Sequence, residues 1–362
     1  MKKINFLQFG LAFAGSFLGA GYVSGQELWQ FFGSFGGKGI FGLFIAIALL
    51  FAVGLMMVRL NQFTGYAEAD KLVVRRDAPM LRGAVVVLEL IFLFGVVVIM
   101  TAGVGALLNQ LFGFPLWMGA LIFIAVVALC SLAGLSGMVS AFSMTVPVLA
   151  GVTLIFGIIS VSKGGFCVPQ TVENGANPLM GSWPVAAITF ACYNIFGSVA
   201  IVAPLGGHIK SRRHTYAGML AGAIILLVIA GSVLVSLGAF PEVTQAELPM
   251  LALASGFNPA LGYIYALLLL FAMFGTALSS MVAFTNLICL KSRKISEHRV
   301  GFIIICALLC FAGSLFGFGD LISIIYPIFG YLSSVFIVLM AAHYIKERRR
   351  LHYGKTSGSG NR

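Results

Sequence analysis

Residues 19–27 read Gly-Ala-Gly-Tyr-Val-Ser-Gly-Gln-Glu and lie in the middle of the first apolar segment of the chain. Glycine weakens a helix, and an ionisable side chain is costly in hydrocarbon, so these are poor residues for the centre of a membrane-spanning helix. Unwound backbone survives at that depth only where it lines a polar cavity or is buried in protein. The stretch therefore predicts a helix that is broken at a functional position.

The composition is that of a membrane protein. Of the 362 residues, 60% are hydrophobic and 9% are charged, whereas soluble domains average about 25% charged residues. Apolar runs of about 20 residues, long enough to cross a bilayer, recur along the chain. The start, Met1-Lys2-Lys3, imitates a signal peptide, but the apolar pattern continues through Phe32 and predicts a retained helix. We predict an all-α polytopic membrane protein.

Ten transmembrane helices are predicted from the apolar segments. The segments cover about 4–33, 39–60, 82–112, 115–133, 138–162, 183–207, 214–239, 260–290, 300–317 and 321–345. With the N-terminus inside, all but two of the 22 Lys and Arg residues lie on the cytoplasmic side, the exceptions being Lys38 and Lys163. Both termini are therefore predicted to be cytoplasmic, and the net charge of +11 requires no nucleic-acid partner.

The predicted domain organisation is one transporter domain, residues 1–345, followed by a basic and Gly/Ser-rich tail, residues 346–362, that we expect to be disordered. The outside loop 240–259 has apolar residues at helical spacing between Gln245 and Ser255, which predicts a short helix. This helix either covers the outer mouth or is an ordinary surface helix.

A second interruption is predicted in the sixth segment, where residues 190–198 read FACYNIFGS. Interruptions at corresponding positions of two halves are typical of an inverted repeat, here residues 4–162 and 183–345. At a break, free N–H groups attract a carboxylate, and free carbonyl groups attract an ammonium or Na⁺. Two breaks side by side would bind a zwitterion at mid-membrane. The alternative is that the glycines only allow helices to pack closely.

The stretch 13–42, FAGSFLGAGYVSGQELWQFFGSFGGKGIFG, resembles the first helix and its sequel in transporters of the LeuT fold. Within it, GAGYVSGQELWQFF at 19–32 most resembles the YkvI-like amino-acid permease family of the amino acid–polyamine–organocation superfamily. The resemblance covers essentially the whole chain. It implies a LeuT-type 5+5 inverted repeat with discontinuous helices 1 and 6.

The resemblance also implies site residues. Those expected to contact substrate are Gly19, Ala20, Gly21, Tyr22, Tyr193, Asn194, Ile195 and Phe196. Those expected to hold a Na⁺ ion between the first and eighth helices are the carbonyls of Gly15 and Leu18 and the hydroxyls of Thr276, Ser279 and Ser280. The alternative for these hydroxyls is hydrogen bonding to their own helix. The fifth segment from Met138 to Ser160 has no lysine to replace the ion, which favours Na⁺ but leaves H⁺ open.

Two carboxylates, Glu27 and Glu89, lie well inside predicted spans. An ionisable group at such depth is a functional hypothesis by default. Glu27 either carries a proton or serves as a fixed polar partner for the half-helix, with Gln26 as a gate residue. For Glu89, snorkelling or pairing with a cytoplasmic basic residue competes with a role in gating or proton coupling.

These observations predict a secondary transporter of a bacterial cell membrane, with an amino acid or similar small zwitterion as its substrate. A channel would need rings of pore-lining polar residues, which the sequence lacks. We find no enzyme motif, no metal spacing among the six cysteines, and no cofactor signal beyond the Na⁺ site. A sensor or subunit that keeps the fold without transport remains the alternative.

Overall fold

The computed structural model describes residues 5–66, 68–74, 78–133, 145–172, 177–208 and 211–357, and every regular element within them is helical. Five helices are long and apolar enough to cross a membrane by length and composition: Gly37–Thr64, Pro79–Phe112, Arg213–Ala239, Pro259–Lys291 and Phe318–Arg350. Five shorter apolar helices are Phe6–Gly15, Leu116–Leu132, Val148–Gly164, Trp183–Val199 and Arg299–Ser314. Apolar helices thus occupy all ten predicted positions, while the number of spans and their orientation stay predictions.

The first segment consists of three helices, α1 (Phe6–Gly15), α2 (Ala20–Ser24) and α3 (Gln26–Phe31). The later helices are α4 (Gly37–Thr64), α5 (Ala69–Val73), α6 (Pro79–Phe112), α7 (Leu116–Leu132), α8 (Thr145–Gly164), α9 (Trp183–Val202), α10 (Arg212–Ala239), α11 (Pro249–Phe257), α12 (Pro259–Lys291), α13 (Arg293–Glu297), α14 (Arg299–Ser314) and α15 (Phe318–Ser357). Short 3-10 helices lie at Gly33–Phe35, Ala203–His208 and Pro241–Gln245.

Local sequence explains several of the helix ends. Asn5 and Gln8 form a reciprocal capping box at the start of α1. Asn258 caps α12 through a 2.8 Å bond from the Ala260 N–H, and Pro259 occupies the first turn, where its missing N–H has no helical partner to lose. Gly113 ends α6 with a left-handed backbone, φ 70°, that glycine adopts without a Cβ clash.

The helices pack as two groups. In the first group, α1 lies along α10, α9 lies along α4, and α4 contacts α10. In the second group, α6 packs on α12 and α7, and α14 packs on both α6 and α7. Helix α15 lies along α9 and also contacts α6, while α8 lies along α10. In segment numbers, the first group holds positions 1, 2, 6 and 7, and the second holds 3, 4, 8 and 9.

Several of the contacts between segments follow the exchange of the two halves. If each segment is replaced by the one five positions away, the pair of segments 1 and 7 (α1 and α10) becomes the pair 6 and 2 (α9 and α4). The pairs 3 and 8 (α6 and α12) and 4 and 9 (α7 and α14) map onto themselves. All of these pairs are in contact. An inverted repeat of two five-segment halves would produce this correspondence, which the pair of segments 6 and 10 does not follow within the described residues.

Glycines bring α1 and α10 together backbone to backbone. A Cβ added at Gly222 would lie 2.7 Å from the Gly10 carbonyl oxygen, and one at Gly218 would lie 2.7 Å from the Phe6 carbonyl oxygen. Small residues four apart are the usual means of close approach between helices in a membrane, where packing replaces the hydrophobic effect as the driving force. The glycines therefore fix the distance between the first helix and its partner.

The sixth segment is not broken where we predicted, because α9 runs without interruption from Trp183 to Val202. Its polar side chains bond to their own helix: Asn194 Nδ2 donates to the Phe190 carbonyl at 3.1 Å, and Ser198 Oγ donates to the Ile195 carbonyl at 2.9 Å. Gly197 serves packing, since a Cβ there would lie 2.6 Å from the Phe92 ring. The regular helix gives way only at the 3-10 turn Ala203–His208.

Outside the predicted spans, the structure has a short loop helix and a helical tail. The short outside helix exists as α11, although it begins at Pro249 rather than near Gln245. The prediction that the tail is disordered from residue 346 was wrong for residues 346–357. There α15 continues to Ser357 through a run of Lys, Glu and Arg, which are good helix formers. Residues 358–362 and the start of the fifth segment, 138–144, lie outside the described residues.

Gly222→Ala should lower the thermal stability of the purified protein, because its methyl group would meet the α1 backbone and overpacking of this kind costs about 1–3 kcal/mol. Gly231→Ala on the same helix is the matched control, since nothing lies within 4 Å of a Cβ at Gly231. We expect the control to be neutral or more stable in a thermal unfolding assay in detergent. Equal destabilisation of the two variants would contradict the close approach.

Candidate functional site

The first span is broken twice. Helix α1 ends at Gly15, residues 16–19 are non-helical, α2 covers Ala20–Ser24, and Gly25 separates it from α3 with a left-handed φ of 86°. The break therefore begins earlier than residues 19–27, where we predicted it, and a second turn follows at Gly25. Glycine is the residue for which this conformation carries no Cβ clash.

Two tyrosine hydroxyls join the broken segment to both helix groups. Tyr265 of α12 donates its hydroxyl to the Val23 carbonyl at 2.6 Å, and Tyr22 donates to the Leu226 carbonyl of α10 at 2.7 Å. Ser24 Oγ bonds locally to the Gly21 carbonyl at 3.1 Å. These bonds satisfy backbone carbonyls for which hydrocarbon offers no donor. They also tie α2 to one helix of each group.

Other backbone carbonyls of the break stay free. Within the described residues, no hydrogen bond reaches the carbonyl of Gly15 or of Leu18, because the Gly19 N–H turns back to the Phe17 carbonyl at 2.8 Å. Free carbonyl oxygens at the end of a helix are ligands suited to a hard cation. These are the two carbonyls predicted for the Na⁺ site.

The predicted hydroxyl ligands lie on α12. Thr276 Oγ1 donates to the Ala272 carbonyl at 2.9 Å, and Ser279 Oγ donates to the Thr276 carbonyl at 3.0 Å. Both hydroxyls thus bond to their own helix, as the alternative held, yet a hydroxyl that donates its proton keeps oxygen lone pairs for a cation. Ser280 is buried beside them. Helix α12 contacts α2, so these oxygens lie on a helix adjacent to the break.

Glu27 occupies the centre of the site. Its side chain is 4% exposed, its Oε1 accepts a hydrogen bond from the Tyr193 hydroxyl of α9, and Asn194 lies beside the same carboxylate. The other oxygen lies against the break, since a Cβ added at Gly21 would be 2.6 Å from Glu27 Oε2. Glu27 therefore joins α3 to α9 directly above the broken backbone.

Aromatic rings surround this carboxylate. The ring of Tyr193 stacks on that of Tyr326 with centroids 4.5 Å apart and planes at 13°. Phe31 lies 5.6 Å from Tyr193 and 5.5 Å from Phe190, both measured between centroids. Tyr326 belongs to α15, so three segments, the first, sixth and tenth, contribute rings to one cluster.

The predicted substrate residues separate into two sets. Gly21, Tyr193 and Asn194 meet at Glu27, and Gly19 borders open space, with nothing within 4 Å of a Cβ there. The other predicted substrate residues make their contacts away from Glu27 or have side chains outside the described part. The Tyr22 hydroxyl is bound to α10, Ile195 is buried, Phe196 packs its ring against Phe92 and Phe336, and the Ala20 side chain lies outside the described part.

The acidic and gate residues beyond Glu27 behave differently. Glu89 is half-buried in α6 and forms no ion pair among the described residues, whereas Arg82, the nearest basic residue in its own helix, pairs with Asp70. Lys291 at the end of α12 is the cation that acts on Glu89 electrostatically. The Gln26 side chain lies against Gly319, since a Cβ added at Gly319 would be 2.8 Å from Gln26 Nε2.

The side of the site toward the start of α15 is closed. Gln30 Nε2 donates to the Gly319 carbonyl at 3.1 Å, and the Gly319 N–H donates to Glu247 Oε2 at 2.7 Å. Glu247 precedes α11, and Asn177 from the loop before α9 donates to the Ser323 carbonyl at 2.5 Å. Sequence reasoning missed Glu247, Gln30 and Tyr326, because nothing in their local sequence places them near the first span.

No family model matches the chain. It is 25% identical over 345 residues to YkvI, an uncharacterised membrane protein of Bacillus subtilis strain 168, covering 95% of this chain and 97% of that one. It is 28% identical over 338 residues to YyaD of the same organism, covering 91% and 94%. These two proteins are homologues of the chain.

Solved transporter structures share the architecture. Mhp1 in an inward-facing conformation has a TM-score of 0.64 at 15% identity and covers 96% of this chain and 78% of its own. MhsT in complex with L-phenylalanine has a TM-score of 0.61 at 17% identity, covering 94% and 89%. A Na⁺-coupled sialic acid symporter in a substrate-bound outward-open state has 0.61 at 15%, covering 93% and 78%. The chain has the LeuT-type transporter fold. The predicted resemblance is therefore confirmed, and these structural neighbours are transporters rather than enzymes.

Glu247→Ala should open the closed side of the site, because it removes the acceptor of the Gly319 N–H. In a background without the six native cysteines, a cysteine introduced by Ser24→Cys should then react about tenfold faster with an impermeant thiol reagent added from the predicted outer side, as expected for losing one charged hydrogen bond. Glu242→Ala, an exposed carboxylate nearby in the same loop, is the control and should leave the rate unchanged. Equal rates with and without Glu247 would exclude its role in closure.

Proposed function

We propose that the protein is a secondary active transporter that moves an amino acid or similar small zwitterion across a bacterial cell membrane by alternating access. The observation that carries the proposal is the site itself: the break of the first span, Glu27 and Tyr193 of α9 meet in a buried position within a LeuT-type fold. Discontinuous helices at the repeat interface are where transporters of this type bind substrate. MhsT, a structural neighbour, was solved with L-phenylalanine, which supports an amino-acid-like substrate.

The two helix groups are the elements that move in this proposal. Helices α1, α4, α9 and α10 rock as one body against α6, α7, α12 and α14 around the site. The packing supports this division, because contacts are extensive within each group, and the broken segment is hydrogen-bonded to one helix of each group, through Tyr265 of α12 and the Leu226 carbonyl of α10. The ten spans with both termini in the cytoplasm belong to the same proposal.

Na⁺ is the coupling ion that the oxygen atoms at the break favour. The free carbonyls of Gly15 and Leu18 and the hydroxyls of Thr276, Ser279 and Ser280 make a set of neutral oxygen ligands. Hard cations prefer such ligands. One structural neighbour is Na⁺-coupled, and coupling to H⁺ through Glu27 is the alternative within the same function.

Counterflow tests whether the protein transports at all. Proteoliposomes are loaded with a panel of unlabelled amino acids, each in turn, and uptake of the same labelled amino acid from outside is followed. We expect accumulation above the equilibrium level for at least one amino acid, because exchange needs only alternating access and no ion gradient. A panel without counterflow, from protein that is folded and inserted, would favour the transport-inactive sensor or subunit.

Replacing Na⁺ by K⁺ at constant pH should lower the uptake of the amino acid identified by counterflow. Thr276→Val should raise the Na⁺ concentration for half-maximal uptake by about tenfold, the effect of losing one good ligand interaction of about 1.4 kcal/mol. Thr285→Val is the matched control, because Thr285 bonds back to the Met281 carbonyl in the same helix at 2.7 Å. Uptake that ignores the change of cation would exclude Na⁺ at this site.

A further inference from the structure

We infer that Glu27 is the counter-charge for a primary ammonium group of the substrate, held between the Glu27 carboxylate and the rings of Phe31, Tyr193 and Tyr326. The inference rests on the proposed function and deepens it by naming the group that the site recognises. It concerns binding, and it is therefore testable without transport.

No protein cation pairs with Glu27 among the described residues. Among the described residues, the ion pairs of Lys and Arg involve Lys71, Arg82 and Arg293, and none includes Glu27. A buried carboxylate without a partner is strongly disfavoured. Its hydrogen-bonding neighbours are Tyr193, which donates to Oε1, and Asn194, and because both are neutral neither balances the charge of the carboxylate.

The second carboxylate oxygen lies at the break. Oε2 packs against Gly21, because a Cβ added at Gly21 would lie 2.6 Å from it. Glycine therefore lets the carboxylate reach the backbone of the break, which any larger residue would prevent. In the same segment, the position of Gly19 borders open space, with nothing within 4 Å of a Cβ. The open space and the glycine that meets the carboxylate are thus two residues apart in the chain.

The cluster around the Tyr193 hydroxyl that bonds to Glu27 is aromatic. Tyr193 and Tyr326 stack with centroids 4.5 Å apart, and Phe31 lies 5.6 Å from Tyr193. The faces of aromatic rings attract cations, and the attraction grows when the cation is removed from water. The same faces give an anion no stabilisation, so rings and carboxylate select the same sign of charge.

Unsatisfied hydrogen-bond acceptors accompany Glu27 on α3. Gln30 is 7% exposed, and its Oε1 is buried without a hydrogen-bond donor, as is Oε1 of Gln26. Gln30 follows Glu27 by three residues on α3, so the two side chains share a helix face. An ammonium group has three donors and no acceptor, which matches a face of unsatisfied acceptors. A ligand carrying only a carboxylate would add a further acceptor and a repulsive charge.

Thermal unfolding of the purified protein with three probes that share a short alkyl chain and differ in charge tests the inference. The probes are n-butylammonium chloride, 1-butanol and potassium butyrate, compared at constant ionic strength. We expect n-butylammonium to raise the melting temperature and the other two to leave it unchanged. Stabilisation by 1-butanol or butyrate equal to that by n-butylammonium, or none by n-butylammonium, would overturn the inference.

Variants then assign the effect to Glu27. Glu27→Gln should weaken n-butylammonium binding by about tenfold or more, because a charge-assisted hydrogen bond is lost. Glu27→Asp keeps the charge and should bind better than Glu27→Gln, which separates charge from shape. Glu242→Gln, an exposed loop carboxylate, should bind as the unmodified protein does. Unaltered binding by Glu27→Gln refutes the inference, and if that variant does not fold, the ranking of the three probes on the unmodified protein decides.

A Na⁺ arm separates the substrate from the coupling ion. If NaCl stabilises the protein through Glu27 and n-butylammonium does not, the carboxylate binds the coupling ion and the inference is wrong. Failure of the proposed function is distinguishable, because it appears as absent counterflow. Glu27-dependent binding of n-butylammonium without counterflow would leave the ammonium site standing and remove the transport function.

Discussion

The hydrocarbon core of a membrane offers no hydrogen-bonding solvent, and the rest of this structure depends on how the broken first span meets that constraint. Each unsatisfied backbone group there costs several kcal/mol. The hydroxyl of Tyr265 takes the Val23 carbonyl, and Ser24 takes the Gly21 carbonyl. The carbonyls of Gly15 and Leu18 receive no such partner among the described residues. The break is thus stabilised where protein donors reach it and left open where a ligand can bind.

The polar groups that lack a protein donor at the break are all hydrogen-bond acceptors. Carbonyl oxygens stand free at the start of the break, and a buried carboxylate with unsatisfied amide oxygens beyond it stands at the end. All of these are acceptors, so the first span presents two places that attract positive charge. A coupling cation at Gly15 and Leu18 and an ammonium group at Glu27 would share the short helix α2 between them. Their binding energies would then act on one segment, which is a direct physical route to coupling.

The two halves of the fold are related but not equivalent in this arrangement. The sixth segment lies along the tenth, whereas the corresponding first segment touches the fifth at few points within the described residues. On the side of the start of α15, Gln30 and Glu247 hold Gly319 from two directions. In the proposed transport cycle, the unequal contacts would be exchanged between the halves in a second state. Such an exchange is what alternating access would require.

Features that depend on a few neighbouring residues could be predicted from the sequence, and features that depend on packing could not. The positions of the apolar helices, the broken first helix, the short outside helix and the LeuT-type resemblance depend on apolar runs, glycines and a contiguous motif, and the structure and comparisons confirm them. The number of membrane spans and their orientation stay predictions. The break predicted at residues 190–198 was wrong, because Asn194 and Ser198 bond to their own helix and Gly197 accommodates Phe92. Polar residues and glycine look alike in a sequence whether they open a helix or pack it.

The sequence by itself determined that this chain is an all-helical membrane protein whose first span cannot be a regular helix. Hydrophobicity and the backbone freedom of glycine act over a few residues, and both are written in the order of the residues. Only the tertiary structure decided what stands beside Glu27. Its neighbours Tyr193 and Tyr326 come from segments far apart in the chain, and only their packing converts a lone carboxylate into a buried site for positive charge.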